Sequence, residues 1–297
     1  MAAHAESARP SSAATTHRRS STGLRISVGQ IILYLALTVA LLIAIVPFIW
    51  VIFGSLKSSG EIFSSPFGLP RTWRWSNFET AWVDGHFGTY FWNSLGIAIP
   101  TVFLILACGS LAGFAFARLK FWGNTFFFYL FLASLAISTN SIMIPLFHQI
   151  YNFGMIDSWW GVVLPTVASH MPMASFLMRA FFRSLPSELE DAARIDGCNN
   201  FGVYWHIMLP LSRGALFGLS IFAFMDSWNA FLVPLLVLRD ATLRTIPLGL
   251  IVFQGQYLSD YSVLFAGVVI SFIPTLIVYF TLQRHFEKGV MIGSVKG

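Results

Sequence analysis

Pro186-Ser187-Glu188-Leu189-Glu190-Asp191-Ala192-Ala193-Arg194-Ile195-Asp196-Gly197, running on to Ile207-Met208-Leu209-Pro210, is the longest charged, helix-like island in a chain otherwise made of apolar runs. Its residues form helix readily, and its neighbours on both sides are long and apolar. A polar helix between apolar runs suits a membrane surface, where it can dock a soluble partner.

The composition supports that setting. Of 297 residues, 56% are hydrophobic and only 10% are charged, and the mean hydropathy is +0.70. A soluble globular chain carries about 25% charged residues. The apolar residues come in long runs rather than in short alternating strands, which indicates spanning helices and not a barrel. The expected fold is therefore all-α, a polytopic membrane protein. The net charge of +5 reads as Lys and Arg in cytoplasmic loops rather than as a nucleic-acid surface. Cys108 lies in an apolar run and Cys198 in the polar island, so no bridge is expected. No Cys/His spacing suits a metal, and no cofactor is expected.

Residues 1–25 are rich in Ala, Ser, Thr and Arg and cannot supply a core, so a disordered cytoplasmic tail is expected there. The rest, 26–297, is expected to form one transmembrane domain with about six helices. The first apolar run, about 30–56, is too long for a signal-peptide core of roughly 7–15 residues and is read as a retained span. A mixed segment, about 57–89, cannot cross, and its Trp73 and Trp75 suit the interface. Further spans are expected at about 90–117, 126–147, 159–182, 215–238 and 263–282. Pro100 is expected to interrupt the second, and Pro165, His170 and Pro172 the fourth. The loop at 183–210 separates the fourth and fifth. Six spans place both termini and this loop on one side. Arg18, Arg19, Arg25, Arg118, Lys120 and Arg183 share that side, while the other holds Lys57, Arg71, Arg74, Arg239 and Arg244. The more basic side is cytoplasmic by the positive-inside rule.

Within the loop, Ser187 and Glu190 have the spacing of a capping box. At 3.6 residues per turn, Leu189, Ala192 and Ala193 share one face, and Glu190, Asp191 and Arg194 lie opposite. Gly197 suits the C-terminal stop. A second short helix is expected from about 201 to 208, closed by Pro210. Geometry alone leaves two roles open: a handle for a partner, or a cap for the chain's own spans.

Asp191-Ala192-Ala193, three residues, Gly197, nine residues, Ile207, one residue, then Leu209-Pro210 resembles the EAA signature of bacterial ABC importer permeases, with Asp191 where glutamate is usual. The Ala-Ala-Arg-Ile-Asp-Gly wording is similar to the carbohydrate, maltose-type branch. Trp228-Asn229-Ala230-Phe231 with Pro234-Leu235 resembles that family's fifth span, with Ala230 where aspartate is usual. Asn93-Ser94, Gln283-Arg284 and the tail from Lys288-Gly289 to Val295-Lys296-Gly297 fit as well. The resemblance covers roughly 30–297. It implies half of a translocation pore in the bacterial inner membrane. The implied partners are a second permease subunit, a cytoplasmic ABC ATPase dimer and an extracytoplasmic solute-binding protein that delivers a sugar. It also implies that Glu190, Asp191, Ala192, Ala193, Asp196, Gly197, Ile207, Leu209 and Pro210 couple to the ATPase.

Asp226 is the one acidic residue well inside an expected span, and intramembrane carboxylates are functional by default. With Trp228 and Asn229 it forms the expected substrate pathway, an aromatic ring for sugar C–H faces beside an amide for hydroxyls. The run Ser138-Thr139-Asn140-Ser141 is expected to knit helices together, and His148 and His170 to be structural. Gln254, Gln256, Tyr257 and Asp260 are placed to meet a binding protein or substrate. An ion-gradient-driven transporter is the alternative, but it needs several intramembrane charges. No HExxH, GxSxG or phosphate-binding loop is present, so the chain is not expected to be an enzyme and ATP hydrolysis belongs to another polypeptide.

Overall fold

The computed structural model describes residues 28–256 and 260–294, with side chains described over 28–251 and 260–283. The expected tail at 1–25 lies outside the described residues, as do Tyr257 and the side chains of Gln254, Gln256, Arg284 and Lys288. Every regular element among the described residues is a helix. The chain divides into two units, 1–48 and 49–297. In the first, helix α1 (Val28–Ser55) begins; it is apolar on all faces, and Ile32, Leu35 and Ile43 are exposed, the pattern of a lipid-facing span. Its 28 residues reach about 42 Å, enough for a hydrocarbon core of about 30 Å.

The second unit is built on the pairing of α4 (Phe87–Arg118) with α7 (Trp159–Ser184), the most extensive helix contact in the chain. Gly109 and Gly113, one helical turn apart on α4, make this contact possible. A Cβ at Gly109 would lie 2.7 Å from the Ala174 Cβ, and one at Gly113 would lie 2.6 Å from the Met178 Cβ. Neither position has room for a side chain, which is how small-residue pairs bring membrane helices together. Ala174 and Met178 are fully buried at this seam. Pro100, Pro165 and Pro172 were expected to interrupt these spans, but all three lie inside continuous helices. Packed neighbours and nearby Ser and Thr hydroxyls make proline tolerable in membrane helices.

Before this pair, α2 (Ser59–Ser64) and α3 (Ser76–Trp82) fold the mixed segment into a connector. Lys57 is 1% exposed there, and its Nζ donates to the carbonyls of Ser65 and Pro66. Trp73 and Trp75 are exposed. The expected third span is not one rod. It is α5 (Asn124–Ala136) and α6 (Thr139–Asn152), meeting at 90°. The polar run Ser138–Ser141 sits at this break and is exposed rather than packed within the chain, because the turned backbone there has its own polar groups to satisfy.

The loop carries α8 (Glu188–Ile195) and α9 (Asn200–Leu211). Helix α10 (Arg213–Trp228) leaves α9 at 77°. The expected fifth span thus stops at Trp228, short of Leu238, and a separate turn, α11 (Leu232–Val237), follows. Pro234 lies within that turn. The stretch read as a loop after the fifth span contains a further helix, α12 (Ile246–Gln256). The last helix is α13 (Tyr261–Ser294), with Pro274 inside it. Among the described residues, four helices are long and apolar enough to cross a membrane, and up to six spans result if each bent pair counts as one.

Candidate functional site: the polar loop and a cavity between broken helices

The loop is organised by Glu190. The spacing of Ser187 and Glu190 predicted a capping box, yet Ser187 has helical backbone angles and its side chain caps nothing. Glu190 is 8% exposed and turns inward to two arginines. Its Oε1 accepts from Arg194 at 3.0 Å, and its Oε2 lies 3.8 Å from the Arg118 Nε. Arg118, at the end of α4, also donates to the carbonyls of Phe182 and Leu185 at 2.7 and 2.6 Å. Those carbonyls end α7, where a cation is favoured by the helix dipole. Arg194 completes the cluster with a 2.8 Å bond to Asn200 Oδ1. A carboxylate surrounded by two guanidiniums outcompetes a backbone cap.

This takes one residue from each expected face of α8 to the inside. Glu190 and Ala193 are buried, while Leu189, Asp191, Ala192, Ile195 and Asp196 are exposed. The expected glycine stop is present: Gly197 has φ +85°, its N–H donates to Arg194, and the Cys198 N–H donates to Ala193. These two bonds form the Schellman pattern. Nothing in the chain lies within 4 Å of the place a Gly197 Cβ would occupy.

The second loop helix is anchored by Val203, Tyr204 and Met208, all buried. The Tyr204 hydroxyl shares a 2.8 Å hydrogen bond with Ser110 Oγ, midway along the α4–α7 seam. Pro210 was expected to close this helix, but it lies inside it. The turn Tyr204–Met208 is widened, with the Leu209 N–H reaching back to the Tyr204 carbonyl. A widened turn relieves the clash between a proline ring and the preceding turn. Ile207, Leu209 and Pro210 are half-buried, and Phe201 and Trp205 stack on the outer surface.

The second site is a cavity of about 800 Å³ lined by Thr139, Gln149, Thr166, His170, Asp226 and Asn229 among others. Both helix breaks reach it: Ile137 and Thr139 from the α5–α6 bend, and Asn229–Phe231 from the end of α10. His170 was expected to be structural. It instead faces Asp226 across 3.0 Å, with side-chain exposures of 30% and 62%. Asn229 Nδ2 donates to the Met225 carbonyl at 2.8 Å. Trp228, expected beside Asn229 in the pathway, is elsewhere. It is 2% exposed, stacks on Phe224, and donates to the Ser271 carbonyl on α13. Consecutive positions at a helix end point in different directions, so Asp226 and Asn229 share the cavity face and Trp228 does not. Nothing in the sequence linked His170 to Asp226, which lies 56 residues away. Among the described residues, no group of three or more His, Cys, Asp or Glu side chains could hold a metal.

The family model for the binding-protein-dependent transport system inner membrane component matches residues 105–292, which includes the loop and most of the cavity. The diacetylchitobiose uptake system permease protein NgcG of Streptomyces coelicolor is 36% identical over 86% of this chain and 85% of its own length. An arabinooligosaccharides transport system permease protein, AraQ of Halalkalibacterium halodurans, is 37% identical over 86% of this chain and 92% of its own. In fold, the chain matches a bacterial ABC transporter involved in import of the acidic polysaccharide alginate. The TM-score is 0.74 at 23% identity, over 89% of this chain and 98% of that one. Spanning helices, a shared fold and above all the family match and these relatives agree: the chain belongs to the binding-protein-dependent transport system inner membrane components and is a multi-pass permease subunit of an ABC importer.

Proposed function

We propose that this permease imports a saccharide or oligosaccharide and forms half of the pore with a second permease subunit. The loop at 183–210 is its contact with the cytoplasmic ATPase. The observation that carries the loop assignment is the Glu190 cluster. It fixes α8 to the ends of α4 and α7 from within, leaving Ala192, Ile195 and Asp196 outermost. Ile195 is 87% exposed, an apolar group suited to a cleft on another protein. ATP-driven closure of the ATPase shifts the permease only through contacts that differ between the two states. A handle held this firmly transmits such a shift to both paired helices.

The saccharide reading is supported by the relatives, whose names specify diacetylchitobiose and arabinooligosaccharides. The distribution of Lys and Arg supports a cytoplasmic location for the loop and both termini. A solute-binding protein on the opposite side delivers the substrate. In vesicles reconstituted with the partner permease, ATPase and binding protein, uptake of a saccharide panel should require ATP. Uptake driven by a proton or sodium gradient without the ATPase, or no uptake of any saccharide, would refute this reading.

A further inference from the structure

We propose that Asp226, His170 and Asn229 form a hydroxyl-binding subsite for uncharged saccharides, and that the same charge arrangement turns anionic saccharides away. This rests on the saccharide reading above and adds the site and the charge class of the cargo.

The location follows from solvation. Asp226 lies in the last turn of a helix that belongs to a spanning pair, and its side chain is largely exposed. An exposed carboxylate at membrane depth faces water, not lipid. The two helix breaks that meet at the cavity support the same conclusion. Irregular backbone within a membrane is tolerated where it lines an aqueous space, and discontinuous helices commonly frame substrate sites.

The pairing follows from the hydrogen bonds. His170 Nδ1 lies 2.8 Å from the Thr166 carbonyl, which can only accept. The Ser169 hydroxyl donates to that same carbonyl, so it also can only accept from Nδ1 at 3.2 Å. Nδ1 therefore carries a proton. The opposite nitrogen, Nε2, faces Asp226 Oδ2 at 3.0 Å, and a lone pair cannot rest against a carboxylate oxygen without a proton between them. The two side chains are thus joined by a hydrogen bond, and Asp226 Oδ2 is occupied within the chain.

The consequences for a ligand are specific. Asp226 Oδ1 and Asn229 Oδ1 accept no hydrogen bond among the described residues, and both belong to residues lining the cavity. They match the hydroxyl donors of a sugar. Phe231 and Leu232, also in the lining, supply the apolar side that Trp228 does not. Among the described residues, no Lys or Arg is in the lining, and His170 is already paired with Asp226. A uronate would meet a carboxylate with no cation to receive it.

The test uses the assembled transporter in nanodiscs, with Cys108→Ser and Cys198→Ser removing the native thiols. Ala230→Cys is introduced on one wall of the cavity and, in a separate protein, Thr139→Cys on the other, so that one misfolded variant does not end the experiment. A hydrophilic thiol reagent should label both. Probes are N,N′-diacetylchitobiose, arabinotriose and maltotriose, with digalacturonate as the anionic counterpart. The neutral probe that supports uptake should slow labelling, and digalacturonate should not. Adding Asp226→Asn should weaken the neutral protection roughly tenfold, the loss expected for a hydrogen bond to a charged acceptor. A purely structural Asp226 would leave protection unchanged. Failure of both cysteines to label, equal protection by digalacturonate, or protection indifferent to Asp226→Asn overturns the proposal. If the saccharide reading itself is wrong, the unmodified transporter takes up none of the probes, a result visible before any variant is made.

Discussion

Glu190 and Asp226 are both carboxylates on the last three helices before α11, and they are used in opposite ways. Glu190 is 8% exposed, with both oxygens directed at guanidiniums. Asp226 has a side chain 62% exposed, one oxygen given to His170 and one left open. The first has both oxygens within ion-pair reach of guanidiniums inside the chain and fixes the geometry of a surface loop. The second keeps part of its bonding capacity for something outside the chain. The environment decides which: Glu190 is surrounded by helix ends and arginines, Asp226 by a cavity where two helices break.

The sharpest way to break this contrast is to remove each carboxylate in turn. Glu190→Ala leaves Arg118 buried beside no anion, and breaking a buried pair costs about 3 kcal/mol. The Arg194 contact adds little, since that side chain is 45% exposed and surface pairs are weak. Thermal unfolding of the purified permease should move down by several degrees, and uptake should be lost while membrane insertion persists. An unfolding temperature unaffected by Glu190→Ala would remove Glu190 from its organising role.

Gly197 comes next. Its positive φ disfavours most side chains by about 1–2 kcal/mol, but a Cβ would meet open space. Gly197→Asn, which tolerates this conformation, should therefore cost little stability. Gly197→Asp should leave the chain inserted yet uncouple ATP hydrolysis from uptake, because its charge points at whatever docks there. Normal uptake by Gly197→Asp would sink the docking role of the loop.

Asp226→Asn is expected to change stability by less than about 0.5 kcal/mol, as for most exposed positions, while lowering uptake of the preferred saccharide. A destabilisation equal to that of Glu190→Ala would erase the contrast. The smallest effect belongs to Asp240, in the turn after α11. Hydrogen bonds from the backbone N–H and hydroxyl of Thr242 hold its carboxyl below the usual range. A depressed folded value means the contribution is present above the unfolded carboxyl range and lost as pH falls through the folded value. The protection of the Thr242 amide, relative to its intrinsic exchange rate at each pH, should therefore fall in acid, and Asp240→Asn should remove that acid dependence.

Much of the frame was legible in the sequence. Long apolar runs located the spans, and the spacing from Asp191 to Pro210 located the loop and its glycine stop. What was not legible depended on distant partners. Ser187 and Glu190 have the right spacing for a local cap, but Arg118 lies far away in sequence and takes the carboxylate instead. The inward face of α8, Glu190 with Ala193, mixes the two expected faces for the same reason. His170 and Asp226 meet only because α7 and α10 pack together. The bend at 137–138 carried a signal, a polar run inside an apolar span, which helix packing alone does not explain. The Gly109/Gly113 spacing was equally readable as a close-contact seam.

That seam has a mechanical consequence. With no space between Gly109 and Ala174 or between Gly113 and Met178, α4 and α7 cannot slide or rotate past each other without separating. They act as a single beam. Any rocking cycle must then flex elsewhere, and the structure offers three joints: the 90° corner of α5 and α6, the 77° corner at Ser212, and the gap between Trp228 and Leu232. Two of these joints border the cavity, so a stroke delivered to the beam through the loop would change the shape of the space around Asp226.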